Sequence, residues 1–186
     1  MPTPERTSLA EIVEAARDIV EKEGLADLTM QAVAVRVGVR APSLYKRVRN
    51  RDDLVRLVVE SIVRDLGERL DAVTAGGDAR DDLGRLCRAF RAFAHAHPAG
   101  YRLIFAAGSE ESRPDAGSLA RAVRSLLRIA GELAGPGEAL EAARMVTAWL
   151  YGFVSMELAG AFNLGGDIDR AFEYGIARLV DSLAKA

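Results

Sequence analysis

The stretch LTMQAVAVRVGVRAPSLYKRV, residues 28–48, decides the fold. Thr29 is suited to cap a helix, and the run behind it predicts one over 30–37. Gly38 and Val39 then make a tight turn, and a second short helix opens near Ala41 and Pro42 and runs to about Val48. Proline is tolerated there because the first turn of a helix has no intrahelical use for its N–H groups. A short helix, a glycine turn and a second short helix form the helix-turn-helix arrangement, whose second helix enters the major groove of DNA. Ala32, Val35, Val39 and Leu44 are the apolar positions expected to hold these helices to each other and to the one before. Arg40, Ala41, Ser43, Tyr45, Lys46 and Arg47 are then left facing outward. Small residues at 41 and 43 permit close backbone approach, Tyr45 and Lys46 can bond phosphate oxygens, and Arg40 or Arg47 can reach base edges or phosphates.

Outward from this stretch, apolar residues recur at spacings of three and four and never alternate with the period of two that a strand demands, so the chain is expected to be all-α. A first helix runs from Ser8, with Glu11 completing a capping box, through Leu9, Ile12, Val13, Ala16, Ile19 and Val20 to a stop at Gly24. A long helix starts at Asn50 or Arg51 and continues to about Val73, with Asp52 and Asp53 at its positive N-terminal end. The segment TAGGDAR, 74–80, is a turn. Five further helices are expected over 81–96, 98–106, 116–134, 138–162 and 168–184, with breaks at His97-Pro98, at 108–114 and near Pro136 and Gly165. About nine helices result: a three-helix DNA-binding domain at 1–50, then a helical ligand-binding and dimerisation domain at 51–186. A homodimer is expected through the last two helices, where Phe172, Ile176, Leu179, Val180 and Leu183 form one stripe and Met145, Trp149, Phe153 and Val154 another.

Composition and charge limit the function classes. At 186 residues, 49% hydrophobic and 28% charged, the chain can bury a real core and has no compositional case for disorder. Residues 1–8 are polar, and no uninterrupted apolar run approaches the roughly 18 residues of a membrane span, so a cytoplasmic protein with no membrane partner is expected. The single cysteine, Cys87, excludes an intramolecular disulfide and a multi-cysteine metal site, and beside Leu86 and Phe90 it reads as core. Residues 1–51 hold nine basic and seven acidic side chains, against sixteen and twenty in the remainder. From 36 to 51 there are six basic residues, Arg36, Arg40, Lys46, Arg47, Arg49 and Arg51, and no acidic one, the footprint expected where phosphates dock. His95 and His97 lie about 200° apart around a helix and cannot converge on one metal. No nucleophile, base and orienting group stand at a recognisable spacing and no glycine-rich phosphate loop is present, so neither an enzyme nor a cofactor is expected.

The longer run LTMQAVAVRVGVRAPSLYKRVRNRDDL, 28–54, resembles the N-terminal signature of TetR-family regulators: a threonine before the first short helix, Val-Gly-Val in the turn, Leu-Tyr late in the recognition helix, and Asn-basic-acidic-acidic-Leu opening the next helix. The resemblance implies a fourth helix linking the DNA-binding domain to a regulatory core, and dimerisation through the last two helices. It implies phosphate contacts near Thr29, at Tyr45 and at Arg51. Two departures stand out: Arg40 replaces the usual Ser or Thr cap, at a cost of about 1 kcal/mol, and Arg47-Val48 replaces the usual His-Phe pair. Operator sequence is therefore not transferable from relatives. The segments AFAHAHPAGYRLIF, 92–105, and AWLYGFVSMEL, 148–158, resemble the regulatory domain named for a Trp-His-Gly motif, with Tyr151 where His is usual.

Phe90, Phe93, Tyr101, Phe105, Trp149 and Phe153 sit on three helices of the C-terminal half, as core packing or as the walls of a ligand cavity. Glu157 follows Phe153 by four residues and Trp149 by eight, which sets a carboxylate near the aromatic face, either to orient a ligand or to close an interhelical salt bridge. The partners expected are a double-stranded DNA operator, a second copy of the chain and an unidentified small-molecule effector.

Overall fold

A computed structural model describes residues 7–74, 76–106 and 110–184; Ala75 of the expected 74–80 turn and positions 108–109 of the expected 108–114 break lie outside the described residues. Among the described residues all regular structure is helical. The ten α-helices are α1 Leu9–Lys22, α2 Met30–Arg36, α3 Ala41–Leu44, α4 Arg51–Val73, α5 Ala79–Ala96, α6 Pro98–Phe105, α7 Ala116–Ala122, α8 Arg124–Ala134, α9 Ala139–Leu158 and α10 Ile168–Leu183.

The chain divides into two compact units. One comprises the described residues up to Arg64 together with His97–Leu119, and the other comprises Asp65–Ala96 with the described residues from Ala120. The division falls within α4, and again within α7.

In the first unit, Ser8 and Glu11 form the reciprocal capping box that starts α1, and Ile12, Val13, Ala16, Ile19 and Val20 turn inward at the expected period. Leu28, Val33, Ala34, Leu44, Val48, Leu54 and Val58 of the same unit are buried as well. α6 joins this unit through Glu21 of α1, whose carboxylate accepts the backbone N–H groups of Ala99 and Gly100 at 3.0 Å each. A carboxylate on the exposed N–H groups of a helix start is favourable twice over, by hydrogen bonding and by the helix dipole.

The second unit packs α5, α8, α9 and α10 around Leu83, Leu86, Phe90, Phe93, Ile129, Val146, Leu150, Val154, Phe172 and Ile176. Asp82 is fully buried in it and is held by Arg85 and Arg128, which supply the opposite charge that a buried carboxylate requires. Gly67 of α4 allows a close helix crossing: a Cβ placed there would stand 2.9 Å from the Cα of Ala122. Next to that crossing, Arg124 and Ser125 both bond Asp71.

Three expectations change. The helix expected over 116–134 is broken at Val123 (φ −95°, ψ 4°), the residue after the close approach of Ala122 to Gly67. An apolar repeat carries on across such a break because it records the buried face and not the path of the backbone. The helix expected to reach 162 stops at Leu158, where Gly160 at φ 64° lets its own N–H and that of Ala161 return to the carbonyls of Glu157 and Met156. Finally, four residues of the expected dimer stripes, Phe172, Ile176, Leu183 and Val154, are buried in the chain's own core, whereas Leu179, Val180, Trp149 and Phe153 are half-buried and Met145 is exposed. The large apolar residues left exposed on these helices are Leu140, Met145, Tyr151, Met156 and Tyr174.

Cys87 is fully buried, and loss of solvation pushes its thiol up to about 12, so the reactive thiolate is suppressed. The folded protein should leave Cys87 unmodified by an aromatic disulfide reagent at about pH 8, with full reaction only in denaturant. Rapid labelling under native conditions would contradict this packing.

Candidate nucleic-acid interface

The helix-turn-helix is fixed by backbone chemistry at both ends of α2. Thr29 is its N-cap, with Oγ1 accepting the Ala32 N–H at 3.0 Å. At the other end Gly38 adopts φ 72°; its N–H reaches the Val35 carbonyl at 3.2 Å and the Val39 N–H reaches Ala34 at 2.9 Å. This paired return closes the free carbonyls of α2 and turns the chain, and it requires the left-handed conformation that glycine adopts without strain.

α3 follows at once. Arg40 occupies its N-cap and makes no side-chain cap bond, as expected from the missing Ser or Thr, and Pro42 lies in the first turn. The regular helix is four residues long and is extended by a turn in which the Arg47 and Val48 N–H groups both return to the Leu44 carbonyl. Leu44 and Val48 are buried and anchor it. The packing of α2 differs from expectation by one position. Met30, Val33 and Ala34 face inward, whereas Val35 is 70% exposed and Ala32 and Val39 are half-buried. The cap at Thr29 sets the phase, and from Met30 the inward face runs i, i+3, i+4.

The outward set is placed as expected: Arg40, Ser43, Tyr45, Lys46 and Arg47 are exposed and Ala41 is half-buried. The six basic residues of 36–51, however, are not equivalent. Arg36 is paired with Asp18 and Glu23 of α1 and its C-cap. Arg51, for which resemblance implied a phosphate, donates from Nε to the Leu28 carbonyl at 2.7 Å and from Nη2 to Leu25 at 2.6 Å, bracing the start of α4 against the chain before α2. Arg49 is tied to Asp53. The side chains of Arg40 and Lys46, by contrast, make no hydrogen bond or ion pair among the described residues, so they present net positive charge at the face of α3.

Asp53, read from sequence only as a favourable charge at a helix start, organises this corner. It is buried and accepts the Arg49 N–H at 2.9 Å, Arg49 Nη2 at 3.1 Å and Arg56 Nη2 at 2.7 Å, while its own N–H is capped by Asn50 Oδ1 at 2.8 Å. The hydrogen bonds from Arg49, with those from Arg56, outweigh desolvation and hold its carboxyl far below the ordinary 3.8.

The aromatic candidates separate into groups. Tyr101 is buried edge-on to Phe105 at 5.5 Å within the first unit. In the second unit Phe90 and Phe93 are buried, and the Arg69 guanidinium lies over the Phe93 ring at 5.5 Å. Trp149 stacks on Phe172 at 5.3 Å, and Phe153 packs against Phe162 and Phe172 at 4.9 and 5.1 Å. Glu157 is engaged by Arg91, whose Nε lies at 2.9 Å, and by His95 Nε2 at 3.1 Å, while Arg91 also reaches Asp169 at 2.6 Å. The Arg91 hydrogen bonds draw the Glu157 carboxyl down despite its burial. The salt-bridge alternative therefore describes the Glu157 carboxylate in this structure. Sequence periodicity could not find Arg91 as the partner of Glu157, or Phe172 as the partner of Trp149 and Phe153, because they come from other helices. No group of three or more His, Cys, Asp or Glu residues is poised to hold a metal among the described residues.

A capped helix, a glycine turn and a short helix with an unneutralised basic face define a helix-turn-helix DNA-binding module. Residues 6–58 match the family described as bacterial regulatory proteins, tetR family, and residues 83–179 match the tetracyclin repressor-like C-terminal domain. The chain belongs to the TetR family, whose members are DNA-binding transcription regulators and not enzymes. It is 29% identical to the HTH-type transcriptional regulator Rv0681 of Mycobacterium tuberculosis over 98% of this chain and 84% of that one. The crystal structure of the regulatory protein SCO4313 aligns with a TM-score of 0.77 at 27% identity, covering 92% of this chain and 94% of the other. The structure of BioQ with its double-stranded DNA operator aligns with a TM-score of 0.71 at 28% identity, covering 97% and 99%. No helix among the described residues is long and apolar enough to cross a membrane.

Because the Asp53 carboxyl is depressed in the folded state, its contribution to stability is complete above the unfolded value of 3.8 and is lost as pH falls below it. Asp53→Asn should cost about 2 kcal/mol at neutral pH, since it removes a charged acceptor from buried donors. Denaturant melts of the two proteins should converge as pH drops below about 4; a difference that is constant with pH would place the effect elsewhere.

Proposed function

We propose that this chain is a cytoplasmic homodimeric repressor that holds a palindromic DNA operator and releases it when a small, mostly hydrophobic molecule binds its C-terminal helices. Residues 1–50 carry the DNA contacts in this reading, and 51–186 carry dimerisation and effector response. The observation that supports the DNA half is the exposed face of α3, where Arg40 and Lys46 stand without neutralising partners beside Tyr45 and Ser43. Tyr45, Lys46 and Arg47 are assigned to phosphates, Thr29 to the neighbourhood of a phosphate, and Arg40 to base edges, with Ala41 and Ser43 permitting close approach. Arg51 acts first as a brace and has the N–H groups of Nη1 and the second one of Nη2 left for a phosphate. The solved complex of BioQ with its operator favours duplex DNA as the partner class.

Dimerisation is assigned to the exposed apolar residues of α9 and α10, Leu140, Met145, Tyr151, Met156 and Tyr174, with Phe172, Ile176, Leu183 and Val154 given to the chain's own core. The effector is assigned to Phe90, Phe93, Trp149 and Phe153 with Glu157, supported by the match to the tetracyclin repressor-like C-terminal domain. Tyr101 and Phe105 are assigned to the packing of α6. Since Glu157 already faces Arg91 and His95, the effector needs no cationic group. It must bind the DNA-competent and DNA-incompetent states unequally.

Selection of bound duplexes from a random pool should recover an inverted repeat whose half-sites lie about one helical turn apart. Recovery of no preferred sequence would overturn the operator reading. On the recovered duplex, Lys46→Ala should weaken binding to all sequences alike and lower the log-log salt slope by about 1 per protomer, whereas Arg40→Ala should change the preferred base. Sedimentation should show a dimer at micromolar concentration, and Tyr174→Arg with Met145→Arg should convert it to a monomer of unchanged helicity. A persistent dimer would move the interface elsewhere.

A further inference from the structure

A continuous chain of charge-assisted hydrogen bonds runs from the end of the helix-turn-helix to the start of α7. Arg49 follows Val48, the residue whose burial anchors α3, and both its N–H and its guanidinium are held by Asp53. Asp53 in turn accepts Arg56 Nη2 at 2.7 Å, and Arg56 Nη1 reaches Glu60 Oε1 at 2.7 Å. The same Glu60 oxygen accepts the backbone N–H of Asp115 at 3.2 Å. Asp115 caps α7, with its carboxylate accepting the Ser118 N–H at 3.0 Å. Every link lies within the first unit, but α7, like α4, continues into residues of the second.

Three properties distinguish this chain from scattered surface ion pairs. Asp53 and Glu60 are only 7% and 16% exposed at the side chain, so water screens them poorly. Each acid is shared between two donors on different residues, so moving one donor changes the acceptor available to the next. One end is also a backbone N–H at a helix start, where losing a carboxylate acceptor unsettles the first turn.

We propose that Asp53, Arg56 and Glu60 form a relay that makes the N-terminal turn of α7 respond to occupancy of the recognition helix by DNA, and by reciprocity lets the state of α7 set the affinity for DNA. The second half follows from the first, because a coupling free energy between two sites acts equally in both directions. The proposal rests on the DNA-binding reading and assigns positioning residues that touch no base or phosphate themselves.

Amide hydrogen exchange of the full-length protein, read on peptides spanning 112–122, tests it with and without the duplex recovered by selection. A scrambled duplex of the same length is the control. The wild-type protein should show a several-fold change in exchange at the start of α7 on binding the selected duplex. Glu60→Ala should lose that change while still binding the duplex, as confirmed by anisotropy in the same buffer. A purely structural Glu60 would alter baseline exchange and leave the DNA-dependent change intact. If Glu60→Ala does not fold, Arg56→Met interrupts the chain one link earlier and should abolish the response in the same way. An α7 that ignores bound DNA in the wild-type protein, or responds fully in the interrupted variant, overturns the relay. Absence of duplex binding by the wild-type protein would instead defeat the DNA-binding reading itself.

Discussion

A helix of four residues cannot hold its own orientation, since nucleation of so short a segment is unfavourable and it makes almost no internal hydrogen bonds. α3 is such a helix, and the direction of its outward face is set by what surrounds it. Leu44 and Val48 sink into the core of α1 and α2, the Gly38 turn fixes where the segment begins, and the Arg49–Asp53 bonds fix where it ends. Arg51 completes the frame by joining the start of α4 to the carbonyls of Leu25 and Leu28. The missing cap at Arg40 is tolerable in this setting, because a helix held by anchors at both ends depends less on its first hydrogen bond.

The same frame sorts the positive charge. A cation used as an internal brace is held in place and partly neutralised; a cation without a partner is mobile and can pair with phosphate. Arg36, Arg49 and Arg51 belong to the first kind, and Arg40 and Lys46 to the second. Acidic partners for Arg36 and Arg49 come from α1, its C-cap and the start of α4, whereas Arg51 is held by two backbone carbonyls.

The helical class, the helix-turn-helix and the inward face of α1 were legible because each rests on local chemistry: a capping residue, a glycine at positive φ, an apolar repeat. The Thr29 cap and the Gly38 turn fall where the sequence puts them. What the sequence could not show was which partner a side chain would find. Arg51 reads as a phosphate contact until its guanidinium meets two carbonyls more than twenty residues away. For Glu157 the sequence leaves a ligand contact and an interhelical salt bridge both open, and cannot name Arg91 and His95, which arrive from α5. The stripe on α10 misled for a related reason. Periodicity identifies the most apolar face of a helix, and Phe172, Ile176 and Leu183 turn that face of α10 toward the chain's own core.

Trp149 links the effector candidates to the helices assigned to the dimer. Its indole lies so close over α10 that a Cβ on Gly175 would stand 2.2 Å from Cζ2, so the glycine is what lets the ring lie flat and stack on Phe172. Phe153 packs against the same Phe172, and the Arg91 guanidinium lies over that ring at 4.7 Å while binding Glu157 and Asp169. Phe172 is therefore gripped from three sides, and α10 cannot rotate without disturbing all of them. Close packing transmits displacement because there is no void to absorb it. A molecule that shifts Trp149 or Phe153 must then shift α10, and with it the exposed Tyr174 two residues along. Under the proposed assignments, effector and partner subunit would act on opposite faces of a single helix, so that ligand binding would alter the dimer interface directly.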